Sequence, residues 1–97
     1  MTLKTFALAA AFAVVAALPA SAACYAEYRA QKTSPLQFHV GVAQIADSSC
    51  GNPAAAAQEL GSRLGQNGWT LVDVLSTFTD EGLASRRQRA GQYFLRF

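Results

Sequence analysis

The chain has 97 residues, 52% of them hydrophobic and 14% charged, with a formal net charge of +2, which leaves room for one domain at most. Residues 1–22 hold 17 of the hydrophobic residues and one charge, Lys4, whereas residues 23–97 carry seven basic and six acidic side chains. That balance excludes a polybasic nucleic-acid arm or an acidic tail as the basis of function.

Met1 to Lys4 reads as a short positive segment and Thr5 to Leu18 as an apolar run closed by Pro19. At about 1.5 Å per residue the run spans about 21 Å, short of the roughly 30 Å needed to cross a bilayer as a helix. Ala20, Ser21 and Ala22 supply the small residues of a cleavage site. The expectation is a signal peptide over 1–22, cleaved after Ala22 or alternatively after Ala23, and a single small domain over 23–97. An uncleaved anchor and a lipid on Cys24 are the competing readings, although Ser21 stands where lipoprotein boxes usually carry Leu.

The only cysteines are Cys24 and Cys50. An even count behind an export signal points to one structural disulfide in the periplasm or outside the cell. Closing a loop of about 27 residues would restrict the unfolded chain by roughly 3.5 kcal/mol in the chain-entropy description. A domain this small needs such help.

From Cys24 to Ala30 the residues alternate, with Cys24, Ala26, Tyr28 and Ala30 on one face and Tyr25, Glu27 and Arg29 on a face expected to be wet. Gln31 to Pro35 reads as a turn, and Leu36, Phe38, Val40 and Val42 then alternate with Gln37, His39 and Gly41 in a second strand. A hairpin centred near Thr33 would set Cys24 opposite Val42. Asn52 and Pro53 have the form of an N-cap followed by proline at the first helical position. A helix is expected over Ala54 to Gln66, with Ala56, Ala57, Leu60 and Leu64 on its apolar stripe and a stop at Asn67 and Gly68. Trp69 to Phe78 is expected as a third strand, Thr79 to Gly91 as a mobile polar loop, and Gln92 to Phe97 as a fourth strand. The expected class is α+β, a two-layer β-β-α-β-β arrangement in which one helix covers one face of an antiparallel sheet of about four strands.

Leu60, Leu64, Gly65, Gly68, Trp69, Leu71 and Val72 form the pattern L-x-x-x-L-G-x-x-G-W-x-L-V. This pattern resembles the signature of the small bacterial domain of unknown function 4177. The opening strand with Glu27, Tyr28 and Arg29 and the closing aromatic, basic stretch Tyr93 to Phe97 are similar to that family as well. The signal peptide, the two cysteines and the arginine-rich connection depart from it. The resemblance implies a fold and brings no catalytic residues. Independently of it, Trp69 is expected to be core, because it starts the strand that must turn back under the helix.

No catalytic, cofactor or metal site is expected. His39 is the only histidine, expected as a solvated strand residue, and a disulfide would leave no ligand set for zinc. There is no Gly-x-Ser-x-Gly turn and no phosphate loop, and Asp80 and Glu81 read as turn formers. Arg86, Arg87 and Arg89 place three guanidinium groups within four residues, a candidate contact for an anionic protein surface or lipid headgroups. The alternation of Tyr93, Leu95 and Phe97 is a faint likeness to the last strand of outer-membrane barrels, which need at least about eight strands. The expected role is therefore an exported, non-enzymatic interaction or binding module, with homo-oligomers possible and no nucleic acid as partner. The alternatives are an inhibitor of a secreted hydrolase presenting the 79–91 loop, and a small exported enzyme with an unrecognised site.

Overall fold

The computed structural model describes residues 23–97. The expected signal peptide lies outside the described residues. Two ten-residue strands, β1 (Cys24–Thr33) and β2 (Leu36–Ile45), form an antiparallel hairpin closed by Ser34 and cis-Pro35. A 3-10 turn (Asp47–Ser49) leads into α1 (Pro53–Gln66), and β3 (Thr70–Thr79) returns along the other side of β1, giving the order β2-β1-β3. A second 3-10 turn (Asp80–Gly82), a short helix α2 (Leu83–Ala90) and a last 3-10 turn (Gly91–Tyr93) complete the chain.

The ends of α1 follow from its sequence. Asn52 caps it, its side-chain oxygen accepting from the Ala55 N–H at 3.2 Å, and Pro53 occupies the first turn, where no N–H is needed. At the other end Gly68 adopts φ +82°, the Gly68 N–H donates to Gly65 O at 3.1 Å, and the Trp69 N–H donates to Leu64 O at 2.9 Å. These two bonds define a Schellman closure, which satisfies carbonyls left over at the helix end and folds Trp69 back onto Leu64. The spacing of Leu64, Gly68 and Trp69 is thus a helix-stop device.

One face of the sheet packs against α1. Cys24, Ala26, Tyr28 and Ala30 of β1, with Ala43 and Ile45 of β2, meet Ala56, Leu60, Leu64 and Trp69 in the main core, as the alternation of β1 requires. The small residues on the strands let the helix approach closely, and Leu60, Leu64 and Tyr28 fill the space between. The disulfide joins Cys24 to Cys50 with a Cα separation of 5.7 Å. Because the turn is centred on Ser34 and Pro35, Cys24 lies opposite Ile45, not Val42, and only the short 3-10 segment separates Ile45 from Cys50.

Three expectations are corrected. The sheet has three strands instead of about four, since the C-terminal stretch makes a 3-10 turn and a single parallel bridge between Phe94 and Val42. Gly91 at φ +55° and Leu95 at φ +58° break the extended path that the alternating aromatics suggested. The expected loop 79–91 contains α2, because Leu-Ala-Ser-Arg-Arg-Gln-Arg-Ala has no proline, glycine or β-branched residue and is made largely of good helix formers. Finally, the face of β1 expected to be wet is partly covered: Tyr25 and Glu27 are buried, and Tyr25 and Val42 pack with Ala90, Phe78, Leu83 and Phe94 in a second cluster. The class is α+β with an antiparallel sheet, but two helices lie on opposite faces.

Candidate functional site

Glu27 sits on the central strand at 4% exposure, where an isolated carboxylate would be costly. Two of the three clustered arginines answer it: Arg89 Nη2 lies 2.7 Å from Glu27 Oε2 and Arg86 Nε 3.5 Å from Oε1. Arg86 also donates to Gly82 O at 2.9 Å and lies over the Phe78 ring, 4.0 Å from its centroid, while Arg87 lies over Phe94 at 4.6 Å. Arg86, Arg87 and Arg89 therefore stand on a helix, each with an intramolecular partner. Arg87 and Arg89 stay exposed on their outer sides. An open recess of about 480 Å³ runs past Ser85, Arg86, Gln88 and Arg89.

His39 departs furthest from its expected place. Since it lies opposite Ala30, it points to the α1 face and is 8% exposed. The Tyr93 ring stacks on it with centroids 3.7 Å apart, Trp69 meets it edge-on at 4.3 Å, and the Tyr28 hydroxyl lies 2.9 Å from Nε2. Nδ1 is buried without a hydrogen-bond partner. Burial, with Arg96 and Lys32 nearby, lowers its pKa to about 4, so the ring is neutral at pH 7. The Tyr28 hydroxyl is pushed up to about 12, chiefly by burial. Neither group is poised to exchange a proton near neutrality. No group of three or more potential metal ligands occurs among the described residues.

Gly41 explains how this cluster fits. A Cβ at Gly41 would fall inside the Tyr28 phenol, so only glycine opposite Tyr28 lets the ring pass beneath β2 to His39. The other motif residues behave as expected, with Leu64 and Trp69 in the core and Leu71 packed against it. Gly65 meets no neighbouring atom that would require a glycine. Asp80 and Glu81 lie in a 3-10 turn.

The feature that reading by residue type missed lies on the second sheet face. Along β2 the apolar side is Leu36, Phe38, Val40 and Val42, yet α2 and the C-terminal segment cover only Val42. Leu36 and Phe38 are 63% and 67% exposed. Two bulges in β3 leave Val72 and Leu75 without partners on β1, and both are exposed. Phe38, Val40, Val72, Arg29 and Gln31 border a depression of about 380 Å³ with a largely apolar lining. At its margin Arg29 grips Asp73 through two bonds, Nε to Oδ1 at 2.8 Å and Nη2 to Oδ2 at 2.6 Å. The guanidinium holds the Asp73 carboxyl below the usual carboxylate range. The period-two pattern of β2 was legible, but not which stretch of it a neighbour would leave bare.

No helix among the described residues is long and apolar enough to cross a membrane. No family model, curated protein or solved structure matches the chain.

Proposed function

We propose that the chain is an exported, non-enzymatic interaction module, pinned by the Cys24–Cys50 disulfide and working through the uncovered end of its second sheet face. The observation that carries this reading is the exposure of Phe38 and Leu36 on the same strand face that buries Val42. A soluble domain seldom leaves an aromatic and several aliphatic side chains together in water unless something covers them. The disulfide is consistent with an oxidising compartment, and the leader-like sequence of 1–22 supports export. The resemblance to domain of unknown function 4177 adds a fold and no activity.

The rival reading as an inhibitor needs a projecting loop at 79–91, and that segment is instead a helix laid on the sheet. The contact with an anionic partner through Arg86, Arg87 and Arg89 is a subsidiary part of the proposal, confined to the outer sides of Arg87 and Arg89. Such a partner must compete with Glu27 and Phe94 for guanidinium groups already engaged. The test is site-specific photocrosslinking in the producing cell. A photoreactive phenylalanine analogue at Phe38 should give discrete adducts, and one at the exposed Gln58 of α1 should give none. Absence of adducts at Phe38, or the same adducts from both positions, would overturn the reading.

A further inference from the structure

We infer that the occupant of the uncovered sheet face is a second copy of this chain, packed face to face across a twofold axis. The inference rests on the reading of that face as the interaction surface and names its partner.

A twofold contact uses one patch twice, so the patch must supply both the projection and the recess that receives it. This one does. Phe38 stands out from the rim at 67% exposure, and the depression of about 380 Å³ bordered by Val40 and Val72 lies beside it. A phenyl ring from the opposing copy has a place to enter, and its own recess is offered in return.

The charges agree with a self-pairing surface. Arg29 is the only charged side chain in the lining, and its bidentate pairing with Asp73 leaves the margin without net charge. An acidic or basic partner would find no complementary charge there. Under a twofold axis the positive end of the Arg29–Asp73 pair in one copy can lie toward the negative end in the other, so no like charges are forced together. Lys32 is directed away, over the Trp69 ring on the α1 side.

The sheet edges argue for the face as the contact. The edge of β2 is occupied where the Leu95 N–H donates to Val42 O at 2.7 Å. Along β3 the unpaired Val72 and Leu75 form two bulges, a device that keeps an edge from pairing with another chain. The uncovered end of the face is about five residues long and three strands wide, or about 17 by 14 Å. That is about 240 Å² per copy, well under the roughly 800 Å² per partner of a standard specific interface, so the pair should be weak and reversible.

The experiment is sedimentation velocity on the exported protein from low micromolar to about 1 mM, with light scattering for mass. The average mass should rise from one chain toward two with concentration. Phe38→Ser and Val72→Ser should each shift the midpoint upward by about tenfold or more, the scale of losing one buried apolar side chain. Leu75→Ser, at the other bulge, should leave it unchanged, and the dilute melting temperatures should match the parent. Added salt should change the midpoint little, because no net charge is matched. A mass that stays at one chain throughout overturns the inference, as does an association lost with Leu75→Ser and kept with Phe38→Ser. If the chain is monomeric while Phe38 crosslinks to a different protein, the self-pairing falls and the interaction module stands. If neither occurs, both fall.

Discussion

The ring of Tyr93 lies on the ring of His39, with centroids 3.7 Å apart and planes 14° from parallel, so the C-terminal segment closes the α1 face over the only histidine. The sign of the pH effect follows. The folded-state pKa of about 4 lies below the ordinary 6.5, so between these values the unfolded chain binds a proton that the folded chain refuses. The stability contribution is fully present above about 6.5 and falls as pH is lowered toward 4. Protonation there would set an imidazolium among Tyr28, Tyr93 and Trp69, with the cations Lys32 and Arg96 nearby. Thermal unfolding should show the melting temperature dropping across that window, and His39→Phe should flatten this part of the slope.

The same contact predicts a reporter for the C-terminal segment. Trp69 meets both His39 and Tyr93, at 4.3 and 5.8 Å between ring centroids, and is 6% exposed. Deleting Tyr93 to Phe97 removes one wall of its pocket, so its emission should move to longer wavelength and gain access to a neutral quencher. The hairpin and α1, held by the main core and the disulfide, should keep their far-ultraviolet signal.

The second face depends on Glu27. Replacing it with Ala leaves Arg86, 23% exposed at its side chain, facing a buried space without its anion. Removing one member of a buried ion pair commonly costs 3–5 kcal/mol, and the 62% exposure of Arg89 places this case near about 3 kcal/mol. Hydrogen exchange should report the loss in α2 first, with α1 protected until global unfolding.

These residues also show what the sequence could convey. The strand alternation of β1, the Asn52 cap, the Gly68 stop and the cysteine pair are signals local enough to be read directly, and each has its physical counterpart in the fold. His39 was misplaced for a different reason. On β2 both faces are covered in part, so the more hydrophobic set, Leu36 to Val42, looked like the core side, while the side facing α1 carries His39, Gly41 and Ala43. Tyr28, reaching under Gly41, Trp69 and the C-terminal aromatics make that polar set a buried one. Likewise α2 has few apolar residues, because arginine stems and planes on Phe78 and Phe94 do the packing that leucines usually do. The uncovered face depends on how far along β2 that short helix extends, a tertiary fact with no local signal.

The disulfide prediction concerns the unfolded chain. Replacing Cys24 and Cys50 together by Ala should lower stability by roughly 3.5 kcal/mol, the chain-entropy value for this loop. Denaturant unfolding should show an earlier midpoint and a steeper slope, since an unlinked chain exposes more surface. Cys24 is 1% exposed but Cys50 is exposed, so a mild reductant should reach the bond in the native protein from the Cys50 side.

Two glycines give opposite expectations from the same substitution. At Gly41 a methyl group would occupy the space of the Tyr28 ring. The phenol must then leave its pocket, losing the hydroxyl contact with His39 and its packing at 0% exposure. Gly41→Ala should therefore cost about 2–3 kcal/mol, in the range of overpacked cores, and free the Tyr28 hydroxyl to titrate nearer 10. At Gly61, inside α1, a Cβ meets nothing within 4 Å and φ is not positive. Gly61→Ala there only stiffens the helix and should add about 0.5–1 kcal/mol. Urea titration of the two variants beside the parent decides both; a destabilised Gly61→Ala would mean that the exposed flank of α1 is itself a contact, and an unaffected Gly41→Ala would mean that Tyr28 has another place to go.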